Sequence, residues 1–127
     1  MKFVSGLEFA KLCDLSVICS WVEPREMITK SKEYLFMNDD VPRDMDADIE
    51  KVKRAKIIFF QKNCIFEFFH KFEQWLRDDV TMVTHNSDYS IVENLDLHIL
   101  NHRKIKRWYG QNAVIPHPKL TCIPIGI

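Results

Sequence analysis

Four short apolar segments mark the second half of the chain and constrain what it can fold into. They are KIIFF at 56–60, DVTMVT at 79–84, KIKRWYG at 104–110 and LTCIPIGI at 120–127. Each has the length and the share of β-branched or aromatic residues that are typical of a strand. Strands are therefore predicted to begin near residues 57, 80, 105 and 121.

Segments with helical periodicity separate these strands. Residues 63–79 place apolar side chains at intervals of three and four, which predicts an amphipathic helix that packs an aromatic face on a sheet. Residues 91–103 are predicted to be helical as well. Residues 45–56 predict a shorter helix with acids in its first turn and bases in its last, as the helix dipole favours.

Strands that alternate with helices form βαβ units, whose right-handed crossovers build a parallel sheet covered on both faces. The predicted fold is α/β, a small three-layer sandwich with a parallel Rossmann- or flavodoxin-like sheet, in a single domain over residues 1–127. Ser5 and Glu8 have the capping-box spacing of a helix start. Residues 17–19 are either a first strand or a helix end, and residues 20–44, with two prolines, are the least regular part.

The composition is that of a soluble globular protein, with 46% hydrophobic and 28% charged residues. Lys+Arg and Asp+Glu both count 18, and this zero net charge argues against a nucleic acid as the main partner. No apolar run approaches the roughly 20 residues of a membrane span, and the start, MKFVSGLEF, lacks the pattern of a secretory leader. We therefore expect a cytoplasmic protein whose four cysteines are reduced and buried.

Ligands of open parallel sheets bind beyond the carboxyl ends of the strands. The predicted strand at 80–84 is followed at once by polar residues, and so are the strands before and after it. These residues are Gln61 and Asn63, then His85, Asn86, Ser87 and Asp88, then Gln111 and Asn112. Three successive strands would thus deliver amide, hydroxyl and ionisable groups to one edge of the sheet, and this edge is the predicted site.

Each of these residues also has a structural alternative. His85 is a candidate general base or hydrogen-bond partner of a ligand hydroxyl, but a His at a strand end also serves as a structural hydrogen-bonder. The segment at 86–88 either orients a ligand or caps the next helix, because Asn, Ser and Asp suit both positions. Trp108 and Tyr109 offer a stacking face for a sugar, unless Trp108 belongs to the core.

Other ligand classes lack their usual signatures. The three glycines form neither a dinucleotide fingerprint nor a phosphate-binding loop, so no cofactor is assigned. His98 and His102 are four residues apart but lack the H-E-x-x-H context, so no metal site is assigned. The basic runs at 51–56 and 102–108 are short, and a solvated helix end accounts for the first better than a nucleic-acid surface does.

Four motifs occur in order along the chain. They are SGLEF at 5–9, THNSD at 84–88, WYGQN at 108–112 and HPKLTCIPIG at 117–126. In these motifs and their spacing, over most of its length, the chain resembles a group of exostosin-like, glycosyltransferase-like proteins of large DNA viruses and algae.

The resemblance implies a sugar-transferring enzyme with two Rossmann-like halves, in which the C-terminal half usually holds the nucleotide-sugar donor. The 127 residues would correspond to the N-terminal half and contribute acceptor-side groups, without activity as an isolated chain. The predicted catalytic residues are His85 and Asp88. The predicted residues for binding a glycan or nucleotide sugar are Asn86, Ser87, Gln111 and Asn112.

A different class of function remains open beside this one. A half-domain of this kind would also serve as a non-catalytic interaction or structural module, for example a component of a virus particle. Viral structural proteins would then be its partners, and the host cytoplasm or the virion its location.

Overall fold

The computed structural model describes residues 13–18, 33–37, 43–60, 64–84, 98–110 and 117–122. The strands in these ranges are β1 at Leu15–Ile18, β2 at Tyr34–Phe36, β3 at Ile57–Phe60, β4 at Val80–Thr84, β5 at Ile105–Gly110 and β6 at Leu120–Cys122. The helices are α1 at Met45–Arg54 and α2 at Ile65–Phe72, which a 3-10 turn at Glu73–Trp75 continues. Residues 98–100 are also helical.

The strands form one parallel sheet in the order β2-β1-β3-β4-β5-β6. This is the flavodoxin-like order 2-1-3-4-5 with a sixth strand added. The predicted α/β fold with a parallel sheet is therefore confirmed. The chain moves outward from β1 to β2 and then crosses to β3 on the other side of β1, so β1 and β3 flank the switch point of the topology.

The strands predicted near residues 57, 80, 105 and 121 are confirmed as β3, β4, β5 and β6. The ambiguous segment at 17–19 belongs in part to β1, which lies between β2 and β3. The Asp14 carboxylate holds this junction, because its Oδ2 accepts the backbone N–H groups of Lys56 and Ile57, both at 3.0 Å. The position of β1 thus depends on contacts more than 40 residues away in sequence.

The segment at 20–44, predicted to be the least regular part, contains β2, and residues 20–32 and 38–42 lie outside the described part of the chain. β2 has three residues, of which Leu35 is buried and Tyr34 is exposed. A strand this short, set between charged residues, carries too little apolar pattern to be distinguished from a loop. It is held by pairing with β1, which is a tertiary contact.

The aromatic helix predicted at 63–79 is confirmed in its position and in the face that it buries. Phe68 and Phe72 are fully buried, and the ring of Phe68 meets that of Phe60 on β3 edge to face at 4.9 Å between centroids. Its predicted end at residue 79 was wrong, because the backbone becomes extended at Leu76. Lys104 satisfies two carbonyl groups near this end, since its Nζ donates to the carbonyl oxygens of residues 73 and 74 at 3.0 and 3.2 Å.

The helix predicted at 45–56 is confirmed as α1. The Asp44 side chain caps it by accepting the N–H of Ala47 at 3.2 Å, and its first turn is acidic and its last turn basic. Buried side chains of α1, α2 and residues 99–100 form a single core cluster with one face of the sheet. A second, smaller cluster of Cys13, Phe59 and Val83 lies on the opposite face. Among the described residues, no helix has the length and apolar character needed to cross a membrane.

Candidate functional site at the carboxyl edge of the sheet

The carboxyl ends of β3, β4, β5 and β6 lie on one row across the sheet. The last residue of each strand pairs with the last residue of the next: Phe60 with Thr84, Thr84 with Gly110, and Gly110 with Cys122. β1 reaches the same row at Val17, which pairs with Phe60. Because neighbouring strands are about 4.8 Å apart, the four strand ends form an edge of about 14 Å.

The predicted site residues follow this row directly in the sequence. His85 comes after Thr84, and Gln111 comes after Gly110. The prediction required three successive strands to end at one level, and the register shows that β3, β4 and β5 do so. The predicted residues His85, Asn86, Ser87, Asp88, Gln111 and Asn112, together with Gln61 and Asn63, lie outside the described part of the chain, and their roles stay predictions.

A buried hydrogen bond fixes the end of β4. The indole Nε1–H of Trp108 on β5 donates to Oγ1 of Thr84 at 3.0 Å, and both side chains are almost completely buried. Trp108 is therefore a core residue, as the alternative reading of the sequence had it, and not a stacking surface for a sugar. Tyr109 points to the opposite face, where it packs partly buried against the smaller core cluster. Trp108 thus anchors the residue that precedes the predicted site.

The switch point between β1 and β3 is the position of this fold that sequence reasoning missed. In a sheet of this order, the crevice outside the carboxyl ends of these two strands is the usual ligand position. Cys64, at the start of α2, lies against β1 at this switch point. Its thiol donates a hydrogen bond to the carbonyl oxygen of Val17, with Sγ 3.5 Å from that oxygen. Assigning β1 and β2 as parallel strands would have located the switch point, but neither segment is long enough to be assigned from its pattern.

His102, one of the two histidines considered as metal ligands, has structural contacts at the amino end of β5. Nδ1 of His102 accepts the backbone N–H of Lys104 at 3.2 Å, and its Nε2 lies 3.4 Å from Oε2 of Glu73. The His102 ring also meets the ring of Phe69 edge to face. Because Nδ1 accepts a hydrogen bond, the neutral ring carries its proton on Nε2 and directs it at the carboxylate.

His117 repeats this arrangement one strand further along the sheet. Its Nδ1 accepts the backbone N–H of Lys119 at 3.1 Å, and its Nε2 lies 2.9 Å from Oδ1 of Asn101. The two histidines thus open β5 and β6 with the same local turn, in sequences HRK and HPK. No cluster of three or more His, Cys, Asp or Glu side chains suited to a metal ion occurs in the ranges that the structure describes.

The thiols at 13 and 64 are buried, as expected from the sequence. Burial, with a smaller effect of the neighbouring Asp14 carboxylate, raises the pKa of the Cys13 thiol to about 12. A thiol needs a lowered pKa and access to solvent to act as a nucleophile. Cys13 therefore has a packing role.

Comparisons of the chain with models of protein families, with curated proteins and with solved structures found no match.

Proposed function

We propose that the chain is the acceptor-side half of a sugar transferase and that its site is the loop following β4. One observation carries the proposal: β3, β4 and β5 end on one row, so the polar residues that follow them in sequence start from one edge. Ligands of open α/β sheets bind at this edge. The motif resemblance supplies the chemistry, and the fold agrees with the Rossmann-like architecture that the resemblance implies.

The proposed roles follow from the functional groups. His85 is the base that takes the proton of the acceptor hydroxyl as its oxygen attacks the anomeric carbon of the donor sugar, while the nucleoside diphosphate leaves. Asp88 and Asn86 hold the acceptor hydroxyls by accepting and donating hydrogen bonds. Gln111 and Asn112, which follow the adjacent strand, contact the same ligand from the side.

The fixed end of β4 supports this assignment. A general base must lie within hydrogen-bond reach of the proton that it abstracts, and small displacements of catalytic groups are costly. The bond between Trp108 and Thr84 restrains the residue immediately before His85. A rigid strand that carries the base in its following residue is the arrangement expected of a preorganised site.

The test combines transfer and binding measurements on the full chain with a panel of nucleotide sugars and glycan acceptors. If the chain turns over, we expect His85→Ala to lower kcat by about 10²–10⁴-fold, the usual contribution of a general base. If it binds acceptor without turnover, His85→Ala and Asp88→Ala should each weaken glycan binding. Matched controls are His98→Ala and Asp78→Ala, which remove exposed side chains of the same types elsewhere.

Loss of function in the controls as large as in the site variants would contradict the assignment. A folded chain without turnover and without binding of any glycan or nucleotide sugar would also contradict it, and would favour the non-catalytic interaction module.

A further inference from the structure

A cavity of about 220 Å³ lies beside the outermost strand of the sheet. One wall is β2, and the other is formed by Arg43 and the first two turns of α1. β2 and β4 are three strand spacings apart in the sheet, which is about 14 Å. The cavity therefore lies at a different strand from β4, whose end the proposed site residues follow in the sequence.

Two cations of this cavity are anchored to the backbone of the strand. Lys51 Nζ donates to the carbonyl oxygen of Tyr34 at 3.3 Å, and Arg43 Nη2 donates to that of Phe36. Asp48 joins them, with Oδ2 at 3.0 Å from Arg43 Nη1 and Oδ1 at 3.9 Å from Lys51 Nζ. Because these contacts already fix the lining, a ligand would bind with a small cost in side-chain ordering.

The charges of the lining select the class of ligand. Two cations, Arg43 and Lys51, face two carboxylates, Asp44 and Asp48, so the formal charges of the lining cancel. A free phosphate would meet both carboxylates, and a simple cation would meet both bases. A neutral molecule with many hydroxyl groups satisfies both sets, because each hydroxyl donates to a carboxylate and accepts from an ammonium or guanidinium.

The aromatic part of the lining and the volume of the cavity restrict the class of ligand further. Tyr34 is 43% exposed, the Lys51 ammonium lies over its ring at 5.8 Å from the centroid, and the ring packs edge to face against Phe36. Such a ring offers an apolar face to the C–H groups of a ligand. The volume is smaller than the roughly 300–1,000 Å³ of sites for drug-sized molecules, which favours a small ligand.

We propose that this cavity binds a single neutral sugar ring, with hydroxyls on Asp48 and Arg43 and its C–H face on Tyr34. The inference deepens the proposed function and rests on it only for the role of the bound sugar, as a second contact for an acceptor glycan whose reacting end lies at β4.

The experiment is ligand-observed NMR on the full chain with methyl glycosides of glucose, galactose, mannose and N-acetylglucosamine. We expect saturation transfer to at least one glycoside, with its loss in Tyr34→Ala and its retention in Tyr34→Phe, which keeps the ring. Asp48→Asn should weaken the affinity by at least tenfold. The control is Phe66→Ala, which removes a comparably exposed ring from α2 outside the cavity and should leave binding unchanged.

Circular dichroism and denaturation midpoints establish whether each variant is folded. If Asp48→Asn does not fold, the test depends on Tyr34→Ala. Absence of transfer to every glycoside, retention of binding in Tyr34→Ala, or tighter binding of inorganic phosphate than of any glycoside would overturn the inference. Its failure is distinguishable from that of the proposed function. His85→Ala should lower sugar transfer as stated above, whereas the part of the saturation transfer that Tyr34→Ala removes should be the same with and without His85→Ala, so the two variants test the two sites separately.

Discussion

The substitution Thr84→Val isolates the hydrogen bond that fixes the end of β4. Valine has nearly the shape of threonine, so no cavity is created, but the hydroxyl that accepts the Trp108 indole N–H is gone. Thr84 is 2% exposed and Trp108 is fully buried. Indole nitrogen is a donor only, and the substitution leaves it in the core without the acceptor that it has now.

The magnitude follows from two opposing effects. A buried donor without a partner costs about 1–3 kcal/mol. Exchanging a hydroxyl for a methyl group in an apolar environment recovers up to about 1 kcal/mol. The net loss in the free energy of unfolding should therefore be about 1–2 kcal/mol, a substantial part of the roughly 5–15 kcal/mol that stabilises a typical domain.

Urea denaturation of the variant measures this loss, with Thr81→Val as the matched control on the same strand, where the side chain is partly exposed. Trp108→Phe, made alone and together with Thr84→Val, completes a double-mutant cycle. The cycle should give a coupling of about 0.5–1.5 kcal/mol. Equal stability of Thr84→Val and Thr81→Val, together with a coupling of zero, would refute the reasoning.

Two further predictions concern the core. Phe68→Ala should lower the free energy of unfolding by about 3–5 kcal/mol because the ring is fully buried and touches Phe60. Phe66→Ala, on the exposed side of the same helix, should cost much less, and urea unfolding compares the two; similar losses would contradict the assigned faces of α2. Cys13 should resist alkylation in the folded protein, because at pH 8 a thiol of pKa about 12 is thiolate in only about one molecule in ten thousand. Mass spectrometry after alkylation with and without denaturant tests this, and rapid labelling of Cys13 in the native state would show that the thiol is accessible.

The local sequence pattern was sufficient to predict an element where that element is long or strongly apolar. β3 and β4 are indicated by runs of β-branched and aromatic residues, which only Met82 interrupts, and α2 by its phenylalanines at helical spacing. α1 carries its own signals in a capping Asp44 and charges that match the helix dipole. From these elements the parallel α/β class is predicted, because strands that alternate with helices typically form βαβ units with parallel strands.

Elements that are stabilised by residues distant in sequence could not be predicted from the local sequence pattern. β2 is three residues long and exists through its pairing with β1 and its bonds to Arg43 and Lys51. The 3-10 turn that continues α2 ends where Lys104, just before β5, donates to the carbonyl oxygens of residues 73 and 74. The order of the strands, and with it the switch point, is likewise a tertiary property that no local stretch encodes.

For the candidate site, the sequence predicted that the strands preceding the polar residues end at one edge of the sheet. The level ends of β3, β4 and β5 were inferred from spacing alone, and the register confirms them. The cavity beside β2 could not be predicted from the sequence. Its lining combines a strand that the sequence pattern did not reveal with a helix whose charged residues were interpreted as solvent-exposed. For Trp108 the sequence left a sugar-stacking surface and a core role open, and the packing shows a core side chain.

The bonds from Arg43 and Lys51 to β2 also bear on how the chain behaves at high concentration. An outermost strand normally offers unpaired carbonyl groups to which a strand of another molecule can add, the first step towards aggregation. The carbonyls of Tyr34 and Phe36 are already bonded to side chains of the same molecule, so an incoming strand must displace them. The side chains that line the cavity thus also hinder strand addition at this edge of the sheet. A ligand that drew Arg43 or Lys51 away from β2 would leave a carbonyl group of the edge strand free to pair with another molecule.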